Sequence, residues 1–182
     1  MSRKYKFRNP AAIYFVTFAT VNWIDVFTRR VYKDIVVDSL NYCIKNKGLV
    51  VYAWVIMSNH VHLIIERRTV ALEDVMRDLK RHTSKAILKE IEENPQESRK
   101  AWMLWMFERA GKKNINNSKF QFWQQHNQPI ELTTEAFAID SSIDYIHNNP
   151  VTAGFVDCPE HYRYSSAVDF AGGKGLVNVE PC

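Results

Sequence analysis

Leu49 to Met57 is a run of nine consecutive apolar or aromatic residues. A membrane-spanning helix needs roughly 18 such residues, so a run this short reads as a buried β-strand. Ser58-Asn59 supplies turn chemistry, and Val61–Glu66 is again rich in β-branched residues. Strand, turn and strand make a hairpin. One hairpin cannot bury both of its faces, so this one needs further strands and helices to pack on it. His60 stands at its mouth and His62 inside its second strand. Residues i and i+2 of a strand share a face, so both imidazoles project together while Val61 points the other way.

The rest of the chain supplies the partners. Ile13–Thr20 reads as an earlier strand. Val31–Asn46 has apolar positions at roughly helical spacing, with Gly48 just past its end as a terminator. Leu72–Glu93 reads as a long amphipathic helix, with an apolar stripe through Leu72, Val75, Met76, Leu79, Ile87 and Ile91. Thr134 can cap a further helix over Glu135–Asn148, which Pro150 is expected to stop. Residues 94–122 read as a basic and aromatic insertion, expected to be partly mobile, with turn-like residues from Gly111 to Ser118. The tail is expected to wrap the domain and to end in a short strand at Leu176–Val179. The order predicts an α+β sandwich, ferredoxin-like, with helices on one face of an antiparallel sheet. Residues 1–182 are expected to form a single domain.

Composition narrows the class. Hydrophobic residues at 46% and charged residues at 24% suit a folded core rather than disorder. No run is long enough for a membrane span, and the basic start MSRKYKFRNP lacks the apolar stretch of a secretory signal. The three cysteines, Cys43, Cys158 and Cys182, fit neither a disulfide framework nor a Cys-x-x-Cys metal site, so a cytoplasmic setting is expected. Net charge is +4, unevenly spread. Residues 1–33 hold seven Lys/Arg against one acid, and residues 99–119 hold six against one. Such zones suit a phosphate backbone, though on charge alone solvated surface is the slightly favoured reading.

Two neutral imidazoles side by side form half of a divalent-metal site. Tyr145 and Asn149 are four residues apart, hence on one helical face, which could present a phenol and an amide oxygen to the same place. His147 is an alternative ligand but lies off that face. A tyrosine hydroxyl is a weak nucleophile near neutral pH, and a phosphodiester is anionic. A metal that neutralises and aims the phosphate would make attack by Tyr145 feasible. Mixed nitrogen and oxygen ligation with open positions suits Mg²⁺ or Mn²⁺. Taken singly, each residue has a plainer reading. The histidines could be polar residues on an open sheet face, Tyr145 a packed helix residue, and Asn149 a helix C-cap.

Together the pieces resemble a known family. Trp54-Val55-Ile56-Met57-Ser58-Asn59-His60-Val61-His62-Leu63-Ile64-Ile65 resembles the histidine motif of HUH single-tyrosine transposases, the IS200-like group. Tyr145-Ile146-His147-Asn148-Asn149-Pro150-Val151-Thr152-Ala153-Gly154-Phe155-Val156 resembles their tyrosine helix, in the form typical of REP-associated tyrosine transposases. Phe122–Gln125, Pro129–Leu132 and Tyr162–Ser166 also resemble that branch. The resemblance implies histidines on a central strand and a tyrosine on a facing helix. It assigns Tyr145 as nucleophile and His60, His62 and Asn149 as metal ligands. It implies cleavage and rejoining of single-stranded DNA beside a hairpin, through a 5′-phosphotyrosine and a free 3′-hydroxyl. The hairpin would be a repeated extragenic palindrome or an element end, and the protein a monomer or homodimer. A non-catalytic nucleic-acid-binding module, or a related nickase or relaxase, are the alternatives. Candidate DNA contacts are Arg3, Lys4, Lys6, Arg8, Arg77, Lys80, Arg81, Lys85, Lys112 and Lys113. Trp23, Trp123 and His126 could meet bases, though core packing suits the two tryptophans better.

Overall fold

The structure is a computed structural model that describes residues 7–114, 119–125, 129–132 and 136–181. Strands β1 (Tyr14–Ala19), β2 (Leu49–Ile56), β3 (His60–Arg67) and β4 (Ile130–Glu131) form an antiparallel sheet in the order β2-β3-β1-β4. Helix α1 (Arg30–Lys47) joins β1 to β2, and α2 (Leu72–Glu93) follows β3. This is the strand-helix-strand-strand-helix-strand order of a ferredoxin-like unit. Helix α3 (Lys100–Lys112) is added before β4, and α4 (Ala136–Thr152) and the short α5 (Ala167–Phe170) come after it.

Strand alternation decides which helix meets which face. Tyr14, Val16 and Phe18 of β1 are buried, and Lys80 of α2 lies 5.9 Å over the Phe18 ring. That face carries the α1–α2 layer. Phe15 and Thr17 point the opposite way, and the Phe15 ring meets Tyr145 of α4 at 6.0 Å. Helices therefore cover both faces, which corrects the expectation of a single helical face. The cause is apolar surface on the second face as well. Ala53 and Val55 of β2 and Ile64 of β3 are fully buried there, and α4 packs on both strands. Ile143 and Ile146 are among the buried residues that α4 brings.

Three more expectations change. Helix α4 does not stop before Pro150 but runs through it to Thr152. Proline removes one N–H, yet the last turn closes on other bonds: Ala153 N–H donates to Asn149 O (3.0 Å) and Phe155 N–H to Pro150 O (2.8 Å). Gly154, at φ 72°, ends the helix in the left-handed conformation, so Asn149 is an interior residue and not a C-cap. Residues 100–112, which the sequence left without an assigned element inside the insertion, are helical, with Met103 and Phe107 buried. The Phe107 ring packs 5.0 Å from Phe122. Gly111 lets the returning chain cross α3, since a Cβ there would lie 2.4 Å from Lys119 O. No strand forms at 176–179. Instead Asn41 Nδ2 donates to Leu176 O (2.9 Å) and Glu180 N–H donates to Val51 O (2.9 Å). Ile56 N–H donates to Tyr164 O, and Ser166 N–H to Trp54 O. Together these tail contacts cover the outer edge of β2, a row of backbone groups that would otherwise invite another strand.

Glu97 ties α3's entry to α1. Its side chain has 0% exposure and accepts from Arg29 Nε (2.8 Å), Tyr32 Oη (3.0 Å) and Arg99 N (3.1 Å). Burial pushes its carboxyl up, but the Arg99 N–H, the Tyr32 hydroxyl and the Arg99 charge outweigh that and hold it below the usual glutamate value. We expect Glu97→Gln to cost about 2–3 kcal/mol in urea unfolding at pH 7. A pKa depressed on folding stabilises above the unfolded value of ~4.3 and loses that stabilisation as pH falls through the folded value. The gap between wild type and Glu97→Gln should therefore be full above pH ~5 and close in stronger acid. A gap that persists in acid would assign the loss to packing rather than charge.

Candidate active site

The register of β1 on β3 sets Thr17 opposite His62 and Ala19 opposite His60. Both imidazoles stand on the α4 face of a central strand, with ring centroids 4.7 Å apart. His62 is buried and hydrogen-bonds through Nδ1 to Thr17 Oγ1 at 2.7 Å. His60, at the hairpin mouth, hydrogen-bonds through Nδ1 to Asn59 Oδ1 at 2.8 Å. The Asn59 amide can be oriented from its other end, because Nδ2 donates to Trp23 O (3.2 Å) and Asp25 Oδ1 (3.0 Å). Oδ1 must then accept, so Nδ1 of His60 carries the proton and Nε2 keeps a lone pair. Thr17 can hold His62 in the same tautomer. Sequence reasoning missed both orienting residues, although Asn59 is adjacent to the motif.

Burial pulls the His60 pKa below its ordinary 6.5, and burial plus the neighbouring His60 pulls His62 to about 3. Two neutral imidazoles follow at pH 7, the state in which histidine binds metal. His62 Nε2 is buried and has no hydrogen-bond partner. An orphaned nitrogen of that kind costs about 1–3 kcal/mol, and beside a second neutral imidazole it is a fit acceptor for a divalent cation. Among the described residues no group of three His, Cys, Asp or Glu could hold a metal. Among the described residues a third protein ligand would then be an amide, hydroxyl or backbone carbonyl oxygen.

Tyr145 meets the histidines within one chain. Its ring lies 5.5 Å from that of His62 and 6.0 Å from Phe15, and it remains 55% exposed. Asn149 sits one turn further along α4, half-buried, with Nδ2 donating to Tyr145 O at 3.1 Å. His147 is turned away, as its spacing predicts. It is buried and hydrogen-bonds through Nε2 to Ser166 Oγ at 2.9 Å, which in turn accepts from Trp54 N (2.9 Å). One face of α4 is thus pinned to β2 while the other presents Tyr145.

The basic candidates scatter. Arg3, Lys4 and Lys6 lie outside the described residues, as does His126. Arg8 is exposed. Arg77, Arg81 and Lys85 are on the solvent side of α2, across the sheet from Tyr145, with Arg77 paired to Asp74 and Asp78. Lys80 turns inward and donates to Gln124 O at 2.7 Å. Lys112 pairs with Glu108 at 2.9 Å. Lys113, together with Arg109, lines a groove that begins at Asn22, next to Trp23. Trp123 is core as expected, its Nε1 donating to Thr83 Oγ1 (3.0 Å), but Trp23 is not: it is 55% exposed beside His60.

A family profile described as Transposase IS200 like matches residues 11–109, a span that includes both histidines but ends before Tyr145. Among solved structures, the chain is similar to a REP-associated tyrosine transposase bound to a REP hairpin. Identity is 16%, the TM-score 0.66, and the match covers 99% of this chain and 92% of that one. A protein from Deinococcus radiodurans R1, provisionally described as a transposase, matches at 17% identity and TM-score 0.46, over 81% of this chain and 97% of that one. No curated protein matches in sequence.

Calorimetric titration with Mn²⁺ tests the histidine pair. His62→Ala should weaken binding at least about 100-fold, and Asn59→Ala about tenfold by freeing the His60 ring. Unchanged Mn²⁺ affinity in His62→Ala would remove the histidines from any metal site.

Proposed function

The chain belongs to the IS200-like transposase family, and from that premise we propose that it cleaves and rejoins single-stranded DNA beside a hairpin, with Tyr145 as nucleophile. The observation that carries this reading is the packing of Tyr145 against His62, whose Nε2 is buried and unpartnered. A divalent ion, Mg²⁺ or Mn²⁺, held by His60, His62 and Asn149 would neutralise and orient the scissile phosphate.

The chain's own groups do the rest. Phe15 and His62 flank the Tyr145 ring and hold it at the sheet surface, while its exposure leaves room for a polymer strand. Tyr145 Oη attacks phosphorus and loses its proton. The bond from phosphorus to the 3′-oxygen breaks, and that oxygen leaves as a hydroxyl. The products are a 5′-phosphotyrosine and a free 3′-hydroxyl. Attack by a 3′-hydroxyl reverses the exchange, so rejoining needs no external energy source. Orientation supplies much of the rate, since a weak nucleophile gains most from being held in line. Because one chain brings Tyr145 to its own histidines, a monomer can carry the complete site.

The related structure holds a REP hairpin. A hairpin of that kind, a repeated extragenic palindrome or an element end, is the proposed partner here. Among the described residues no helix is long and apolar enough to cross a membrane.

The test is a denaturing gel. Wild-type protein with Mn²⁺ and a hairpin-bearing strand from the DNA flanking its gene should give a covalent protein–DNA adduct. Tyr145→Phe should lower adduct formation by roughly 10³-fold or more. Hairpin binding by wild type with no adduct would instead favour a non-catalytic binding module, and a full-strength adduct from Tyr145→Phe would exclude this nucleophile.

A further inference from the structure

Trp23 carries a backbone conformation that bulky residues avoid. Asn22 and Trp23 have φ of 55° and 54° in succession. Asparagine tolerates the left-handed region, but a tryptophan there is an outlier. Core packing does not explain it, because the ring is 55% exposed. The conformation is imposed from several sides. Trp23 N–H donates to Thr20 O (3.1 Å), Val21 N–H to Phe122 O (2.8 Å), and Asn59 Nδ2 to Trp23 O (3.2 Å). Strain held this firmly at the edge of a site is a pointer to function. Its effect is to set the indole against His60, with ring centroids 5.9 Å apart and planes at 74°.

The surroundings indicate the occupant. From Asn22 a groove of about 660 Å³ runs between the Val21–Trp23 turn and α3, past Arg109, Lys113 and Gln125. Two cations along the wall suit a polyanion, and the exposed indole of Trp23, next in the chain to Asn22 of the groove wall, suits a nucleobase, since every base has a π-face. Arg109 also lies over the exposed Trp105 ring, 5.2 Å from its centroid, further along the same helix.

We propose that Trp23 is the platform on which the nucleobase flanking the scissile phosphate stacks, and that the strand then follows the groove past Arg109 and Lys113. This rests on the reading of His60, His62 and Tyr145 as a DNA-cleaving site. It adds a second layer to that site: the ion and Tyr145 address the phosphate, and Trp23 fixes which phosphate arrives. It also accounts for Asn59, whose one amide sets both His60 and Trp23.

The experiment uses full-length Tyr145→Phe protein with Mn²⁺. The probe is a hairpin strand from the DNA flanking the gene, carrying 2-aminopurine at successive positions beside the stem. One position should be quenched on binding. Trp23→Ala in the same background should restore its fluorescence and weaken strand binding about tenfold to 100-fold, while Trp23→Phe keeps most of both. Mn²⁺ affinity should hold in both variants. If no position depends on Trp23, or if Phe behaves like Ala, the platform is overturned. A loss that tracks lost Mn²⁺ affinity also overturns it, and makes Trp23 a support for His60. The adduct assay on wild type separates the two readings. Adduct without a Trp23-dependent position sinks only the platform, and a Trp23-dependent position without adduct sinks only the cleavage reading.

Discussion

The pairing of β1 with β3 is the constraint on which the candidate site depends. Thr17 faces His62 across that ladder, and the hydrogen bond between them orients the buried ring. A one-residue slip would exchange the faces and send both imidazoles toward α2. Burial on both sides of β3 prevents the slip. Val61 and Leu63 are fully buried on one face and Ile64 on the other, so any shift would drive polar groups into the core or apolar ones out of it.

Helix α4 divides its labour by angle. Tyr145 and His147 are two residues apart, about 200° around the helix. His147 bonds to Ser166, which engages the backbone of Trp54, and this anchors the helix to β2. The opposite side can then hold Tyr145 over His62 without a tether of its own. At the hairpin mouth the same economy appears in Asn59, whose two amide atoms serve His60 and Trp23. Positions that pack poorly or strain the backbone thus collect around the histidines, while the sheet and the α1–α2 layer supply the stability that tolerates them.

Much of the architecture was legible locally. Leu49–Met57 and its turn mark the hairpin, and the stripe through Leu72, Val75, Met76 and Leu79 marks α2, because period and turn chemistry are written in neighbouring residues. The i+2 spacing of His60 and His62 and the i+4 spacing of Tyr145 and Asn149 are equally local. The misses are all non-local. Pro150 reads as a stop, yet the helix absorbs one lost hydrogen bond and is ended by Gly154. The period of α3 is blurred because its buried stripe, Met103, Phe107, Ala110 and Gly111, holds two small residues, while the large apolar Trp102 and Trp105 stay in solvent. Lys80 reads as a surface cation on a polar helix face, but a loop passes over it and its ammonium bonds to Gln124.

By itself the sequence determined the elements and the pairs of reactive side chains each carries, since strand and helix periods bring residues two or four apart onto one face. Spacing alone could not say that the histidine strand and the tyrosine helix meet, which only the family resemblance implied. That was decided by the tertiary structure: apolar residues on the second face of the sheet demanded a cover, α4 provided it, and Tyr145 came to rest beside His62. The exposure of Trp23 was decided in the same way, by contacts from Thr20, Asn59 and Phe122 that no local pattern announces. Side-chain direction within an element is a matter of period, whereas proximity between elements is set by how the whole core closes.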